Sequence, residues 1–514
     1  MTVTDRKSRV VIVGGGLVGS LAACFFGKRG HSVSIYEYRP DIRTEDCWGQ
    51  SIDLALSVRG REALRAVGLE EVVVDHHGIA MRGRMIHNKN GSLKEILYDG
   101  VNQNCIYSVT RRYLNVVLLN AAEKYSQVSL HFNKKVVDAD LDDGKLTILD
   151  TRTRKIEKAK ADLIIGADGA YSIIRRTMAK KPRFNCSQTY IEHGYLELFV
   201  PSGKNNEYMM SNKHLHIWPR GEFMMIALPN DDCTFTVNLF APFLTLDKLK
   251  TPQDLLSFCE EYFPDLVELI GRQKLVKDYF EREPKPLISI KCKPYHVGKT
   301  TLLLGDAAHA MVPFYAQGMN TGFEDVLLLD ELMERYNSDF SKILPKFSEL
   351  RCEDAHAICD LAMYNYVEMR DLVRKKSFLV RKYIDTFLYK RIPKTWIPLY
   401  STIHFSRMRF RDCIANKQWQ DKVGRKNCEE NQQSSKNYSK CTVSNNYLFT
   451  GFTQNRLVHG ILNHSYINGV PRRVIRKEKY FVLNFNTDYY YTKCTTNVDM
   501  LNVCVSILPI KLTC

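Results

Sequence analysis

Residues 14–19 read Gly-Gly-Gly-Leu-Val-Gly, with glycines at the first, third and sixth positions, and Glu37 follows 18 residues after the last of them. That spacing suits a dinucleotide. Gly14 permits a tight turn, Gly16 lets the backbone approach a pyrophosphate, Gly19 lets a helix pack closely on a strand, and the acid bonds a ribose hydroxyl. A second group runs from Gly166 to Arg175 and contains Asp168-Gly169 followed by Ser172 and Arg175, an order that suits the phosphate side of a nucleotide. A third runs from Gly305 to Asp325. There Asp306 is placed to accept bonds from a ribityl chain, Pro313 fixes a turn, and Gly318-Met319-Asn320 bring N–H groups close to a flat ligand. The positive end of the helix that follows would stabilise negative charge on a reduced flavin ring. The glycine pattern alone leaves FAD and a nicotinamide cofactor open. Two nucleotide-contacting strand ends argue for a long cofactor lying across a sheet, and the third group argues for a flavin.

Each group needs a strand that ends where the group begins. Arg9–Val13 reads as a buried strand, Leu21–Lys28 as a helix and Val33–Glu37 as a second strand, which makes a βαβ opening. Leu114–Tyr125 has helical spacing, and Val128–Asp150 reads as a strand pair around Asp143-Gly144. Asp162–Gly166 and Leu302–Gly305 are further strands, and the last helix runs from about Thr321 to Leu332. Between about 183 and 295 the texture turns alternating and aromatic, as in Leu215–Trp218 and Phe223–Leu228, which predicts an antiparallel sheet. The expected fold is α/β: a Rossmann-type FAD-binding domain over 1–182 and 296–340 and an inserted antiparallel-sheet substrate domain over 183–295. A C-terminal helical region over 341–423 and a divergent tail over 424–514, for which disorder is one reading, complete the chain.

Bulk properties narrow the partners. The chain has 514 residues, 45% hydrophobic, and a formal charge of +16, of which +7 falls on residues 424–514. No nucleic-acid module or zinc-finger spacing accompanies that charge, so an anionic cofactor or acidic substrate is expected and nucleic acid is not. The 15 cysteines are scattered without a C-x-x-C pair and read as free thiols in a reducing, intracellular compartment. No metal site is expected, since His76-His77 is an adjacent surface pair, and His309 is read as a capping or packing histidine.

In order and spacing the three groups resemble the FAD-dependent aromatic hydroxylases of the p-hydroxybenzoate hydroxylase type. Ser51–Ser57, Met81–His87, Lys181–Phe184, His216–Arg220 with Met224–Asn230, and Met363–Tyr366 with Glu368–Arg370 are similar to the kynurenine-hydroxylating branch of that group. The resemblance covers roughly residues 8–423. It implies FAD as cofactor, NADPH as a transiently docked co-substrate, O2, and L-kynurenine as the small-molecule substrate, hydroxylated to 3-hydroxykynurenine in tryptophan degradation toward quinolinate and NAD. It implies that Arg84 and Tyr98, helped by Asn365 and Tyr400, hold the substrate carboxylate. Leu215, Ile217, Ile226, Leu228, Phe240, Pro313 and Phe314 would surround the aromatic ring. Cofactor contacts are implied, besides Gly14, Gly16 and Gly19, at Val18, Tyr36, Glu37, Tyr38, Arg39, Ala55, Arg111, Val136, Asp168, Asp306, Met319 and Asn320. No side chain is assigned as a catalytic acid or base.

Three departures from the family stand out. Gln50 occupies the middle of a Gly-Arg-Ser triplet, and Ala316 replaces the first glycine of a Gly-Gln-Gly, where its methyl is expected to slow the enzyme. The family's C-terminal anchor to the mitochondrial outer membrane has no counterpart in 424–514, because spanning a bilayer takes about 20 apolar residues and Val503–Leu508 is followed by Pro509. The tail therefore reads as an alternative exon or a misread frame, and the protein as cytosolic or loosely attached. Two rivals share the fold: a binding or escort protein without redox chemistry, and another flavoenzyme such as a halogenase or prenyl reductase, which would have no use for Arg84 and Tyr98 as a carboxylate clamp.

Overall fold

The computed structural model describes residues 7–44 and 54–423, together with the paired backbone of four short strands in the tail. Val10–Val13 and Leu163–Ile165 are apolar without alternation, as strands covered on both faces must be, and every one of these side chains is buried. They take the middle of a six-stranded sheet ordered His296–Val297, Thr301–Leu303, Leu163–Gly166, Arg9–Val13, Ser32–Tyr36, Val128–His131. All pairings are parallel except that of the edge strand His296–Val297. Parallel strands end on one side, so the segments after Val13, Tyr36, Gly166 and Leu303 emerge along one edge. Ligands of such sheets bind outside those ends, and the three sequence groups begin there.

The helix after the glycine turn is Leu17–Lys28, one turn earlier than the apolar spacing suggests, with Gly16 as its N-cap. The helix after the third group is Gly318–Arg335, again starting ahead of its first apolar repeat. Asp143-Gly144 turns a hairpin as expected, joining Lys134–Asp140 to Lys145–Asp150 with Gly144 at φ +67°.

A seven-stranded sheet is ordered Lys285–Lys293, Asn185–Val200, Phe235–Pro242, Met224–Pro229, His214–Pro219, Gly83–His87, Leu93–Leu97. Beyond the segments expected between 183 and 295, it takes in two strands from 83–97. The pairing of Gly83–His87 with His214–Pro219 is parallel, unlike the others. Alternation divides its faces. Leu198, Val237, Leu239, Met225 and Trp218 pack with the helices Pro252–Tyr262, Pro264–Ile270 and Arg272–Phe280. The other face carries Arg84, Leu215, Leu228, Ile226 and Phe240, and register aligns Arg84 opposite Leu215.

The helices Phe340–Arg370, Lys376–Arg391 and Leu399–His404 follow, with a further helix over 410–423. The chain forms two compact units, residues 1–375 with 386–414, and residues 376–385 with 415–514. The site described below lies wholly within the first. In the tail, Tyr466–Ile467 pairs with Val470–Pro471 and Lys479–Phe485 with Asp488–Cys494; the expectation of disorder over 424–514 otherwise falls outside the described residues. Among the described residues no helix is long and apolar enough to cross a membrane, and no cluster of His, Cys, Asp and Glu could hold a metal ion.

Candidate active site

A cavity of about 840 Å³ opens along the strand ends and continues over the substrate-side face of the seven-stranded sheet. Its first half is built from the three sequence groups. Gly14 has φ +103°, and a Cβ there would stand 2.5 Å from the carbonyl oxygen of Ala167, so only glycine fits the turn. A Cβ on Gly16 would meet no protein atom within 4 Å, which leaves the backbone open to a ligand. Gly16, Val18, Tyr36, Tyr38, Arg39, Ala55, Arg111, Val136, Asp168, Asp306 and Met319 all line the cavity.

Glu37 also lines it, and its carboxylate accepts from Gly15 N at 2.7 Å and Arg39 N at 3.0 Å. The acid thus clamps the glycine turn while keeping lone pairs to spare. Asp168 Oδ2 accepts from Ile173 N at 2.7 Å, whereas its Oδ1 is buried without a partner among the described residues. Burial raises the Asp168 pKa, against the pull of Ser172 and the nearby backbone N–H groups.

Two expected cofactor contacts do not line the cavity. A Cβ on Gly19 would stand 2.0 Å from the carbonyl oxygen of Gly14, so this glycine serves helix-on-turn packing alone. Asn320 is buried, and its amide is spent on Ser57 N, Ala55 O and Ala316 O at 2.7–2.8 Å. It fixes the segments that flank the cavity without facing it.

Behind this half runs a buried network. Asp325 accepts from Gly305 N at 2.9 Å, contacts His309 Nε2 at 2.6 Å and pairs with Arg351 at 2.6 Å. Glu324 bridges Arg59 at 2.7 Å and Arg351 at 3.0 Å. Against the cost of burial, His309 and Arg351 hold the Asp325 carboxyl below its usual pKa. The network pins the Gly305–Asp306 turn to the helix Gly318–Arg335, whose first residues Gly318 and Met319 face the cavity. His309 is fully buried and serves this network.

The other half is apolar with one charged end. Leu215, Ile226, Leu228, Phe240, Pro313 and Phe314 line it, while Ile217, expected among them, is buried without reaching the cavity. Phe314 stacks on Tyr366 at 3.8 Å and meets Phe240 edge-on at 4.8 Å. At the charged end stand Arg84, Tyr98, Asn365 and Tyr400. Strand Gly83–His87, helix Phe340–Arg370 and helix Leu399–His404 bring these together from three distant parts of the chain. The Tyr98 and Tyr400 rings stack at 4.7 Å and 4°, and the Arg84 guanidinium carbon lies 5.1 Å from the centroid of Tyr400. Asn365 donates to Phe314 O at 2.6 Å, and its Oδ1 has no partner among the described residues.

Sequence reasoning passed over Glu368 as a site residue. It pairs with Arg84 at 3.0 Å. Burial works to discharge Arg84, but Glu368 and the two tyrosines hold its pKa above the usual value, so it stays a cation. Glu368 lies one turn after Tyr364-Asn365 on the same helix, and that spacing was the available signal. His404, which also lines the cavity, lies one turn after Tyr400.

The residues present fit FAD. The open face of Gly16, the orphaned Asp168 Oδ1 beside the cavity and the helix N-terminus at Gly318 are what a dinucleotide with a reducible ring requires. A family model of the FAD binding domain matches residues 7–361. Kynurenine 3-monooxygenase of Anopheles gambiae is 58% identical over 415 residues, 80% of this chain and 85% of its own. Kynurenine 3-monooxygenase of Sus scrofa is 48% identical over 420 residues, 81% of this chain and 88% of its own. Among solved structures, the tetrameric form of 2-methyl-3-hydroxypyridine-5-carboxylic acid oxygenase is similar with a TM-score of 0.59, covering 76% of this chain and 98% of that one. At 22% identity that likeness speaks for the fold alone.

Fold, site and these relatives together define an FAD-dependent monooxygenase that uses NADPH as co-substrate and acts on a small molecule. Within that class, identity at this level over four-fifths of the chain is decisive. The chain belongs to the kynurenine 3-monooxygenase family.

Proposed function

We propose that this chain hydroxylates L-kynurenine to 3-hydroxykynurenine with NADPH and O2. The observation that carries the reading is a buried, charged Arg84 at one end of the apolar half of a cavity whose other half suits a flavin. Kynurenine has that polarity, with an amino-acid carboxylate at one end and an aminophenyl ring at the other. A guanidinium forks onto a carboxylate with two parallel bonds, so Arg84, with Tyr98, Tyr400 and Asn365, sets the depth at which the ring lies. Phe240, Phe314, Leu215, Ile226 and Leu228 then hold the ring over the cofactor side and keep water out. FAD held along the strand-end half would supply the redox chemistry that couples NADPH and O2 to ring hydroxylation. The remaining cofactor assignments, at Tyr36, Glu37, Tyr38, Arg39, Ala55, Arg111, Val136, Asp168, Asp306 and Met319, rest on their shared position along the strand-end half.

Membrane attachment, which the resemblance implies, is not assigned to any described segment. The function is tested with purified, flavin-loaded protein, measuring NADPH oxidation and hydroxylated product on adding L-kynurenine. NADPH oxidation with peroxide but no hydroxylated product would sink the reading.

A further inference from the structure

The helix Leu399–His404 carries two aromatic residues one turn apart, Tyr400 and His404, and both line the charged end of the cavity. His404 is 1% exposed. Its ring stacks on Tyr400, at 4.1 Å and 20°, and lies beside Tyr315, at 5.4 Å and 13°, the two tyrosine rings being 6.2 Å apart. Gln317 Nε2 lies 3.1 Å from its Nδ1.

With its amide nitrogen turned to the ring, Gln317 has only hydrogens to give, and in this orientation Nδ1 is the bare nitrogen of the ring. A neutral imidazole then carries its hydrogen on Nε2. Burial, with Arg84 and Arg59 nearby, pushes the His404 pKa well down and keeps the ring neutral. Nε2 is buried and has no partner among the described residues. A buried N–H without an acceptor is costly, and this one belongs to a residue lining the cavity where Arg84 stands. Tyr400 lies against both groups, 5.1 Å from the Arg84 guanidinium carbon and 4.1 Å from the His404 ring. An anionic oxygen held by Arg84 would supply the missing acceptor.

We infer that His404 is a further substrate-binding residue, donating Nε2–H to the carboxylate that Arg84 holds, with Gln317 as the positioning residue that fixes its tautomer. The inference rests on the proposed kynurenine reading. A neutral donor suits this place, since a second cation beside Arg84 would repel it. Gln317 sits between Ala316 and Gly318, so the turn that presents the flavin-side helix also sets the hydrogen-bonding state of the carboxylate end.

The test uses the full-length holoenzyme and two ligands, L-kynurenine and kynuramine, which keeps the ring and amine but lacks the carboxylate. Binding is read from the change in flavin absorbance without NADPH. His404→Phe keeps an aromatic ring in the stack and removes the donor. It should weaken kynurenine binding roughly ten- to a hundredfold, as loss of a hydrogen bond to a charged group does, and leave kynuramine within roughly threefold. Gln317→Leu, which keeps His404 but frees its tautomer, should weaken kynurenine by a smaller factor. Unchanged kynurenine binding in His404→Phe, or equal losses for both ligands, overturns the contact. Should His404→Phe fail to retain flavin, nitrogen NMR of the wild-type histidines decides. A neutral ring protonated at Nε2, with that signal moving on adding kynurenine, supports the contact, and a proton on Nδ1 or an unmoved signal overturns it. Wild type that binds kynurenine but makes no hydroxylated product would overturn the proposed reaction and not this contact.

Discussion

The guanidinium of Arg84 donates to the carboxylate of Glu368 across 3.0 Å, tying the sheet strand Gly83–His87 to the long helix Phe340–Arg370 at the charged end of the cavity. The pair keeps a buried cation charged and aims it. Glu368 engages one terminal nitrogen, while the Arg84 Nε has no partner among the described residues. The arginine is therefore held in place with donor capacity unspent, which a receptor for a carboxylate needs.

Arg84→Ala should raise the KM for kynurenine while flavin content stays that of wild type. Leaving a buried carboxylate without its partner costs roughly 2–5 kcal/mol, which is about thirtyfold or more in binding. Glu368→Gln keeps an acceptor for Arg84 but removes its charge, and should raise KM only several-fold. Steady-state kinetics on the two variants checks both, and equal KM values in wild type and Arg84→Ala would remove Arg84 from the site.

The glycine turn separates two kinds of constraint. Gly16→Val places its Cβ where no protein atom lies within 4 Å, so the chain should fold, yet purify without flavin because the side chain takes the ligand's space. Gly19→Ala pushes a methyl to 2.0 Å from the Gly14 carbonyl oxygen and should destabilise the protein itself. Flavin absorbance and thermal melting of both variants test this. A yellow Gly16→Val protein with full flavin content would put the pyrophosphate elsewhere.

Much of the cofactor half was legible because its chemistry is local. Strand ends, turn glycines and an acid at a set distance are contiguous patterns, and Gly14, Gly16, Asp168 and Asp306 fall along one edge of the parallel sheet as that pattern requires. The helices start a turn ahead of the apolar repeats at Leu21 and Thr321, because Gly19 and Ser20 break the apolar run in one first turn and Gly318 and Asn320 do so in the other. The substrate half is a long-range construction. Arg84, Glu368 and His404 meet only after the strands at 83–97 join the sheet of residues 185–293, and no local spacing announces a parallel pairing between Gly83–His87 and His214–Pro219. Residue resemblance supplied Arg84 and Tyr98, helical spacing from Tyr364-Asn365 points to Glu368, and nothing local supplied the hydrogen bond that orients His404.

Stability should fall in mild acid because of His216, on the sheet face away from the cavity. Its Nε2 bonds Ser211 O at 2.8 Å and its Nδ1 faces His87 Nε2 at 2.9 Å. Burial, with His87 and His214 adding repulsion, pushes its pKa from 6.5 down to about 4. The folded protein thus keeps this ring neutral where the unfolded chain protonates it. Its contribution is complete above pH 6.5 and is lost as pH falls toward 4, at most about 3 kcal/mol. Urea midpoints at about pH 7.5 and about pH 5 should differ in wild type and differ less in His216→Gln. The same drop in both would assign the acid sensitivity to other groups.

Ala316 is a left-handed residue with a side chain. Its φ is +51°, its N–H donates to Pro313 O at 2.9 Å, and its carbonyl accepts from Asn320 at 2.7 Å, so the turn is fixed from both sides. A Cβ in this region costs about 1–2 kcal/mol, and glycine would remove that strain while adding about 0.4–1 kcal/mol of unfolded-state entropy. Ala316→Gly should therefore leave stability unchanged or raise it by up to about 1.6 kcal/mol. Because Ala316 lines the cavity beside Gly318, removing the methyl also widens the cofactor side, and turnover should rise with flavin content unchanged. Thermal melting and kcat measured on one preparation separate the two effects. A faster enzyme with the same melting temperature means the methyl obstructs the site, whereas a lower melting temperature with unchanged kcat would show that it fills space the fold needs.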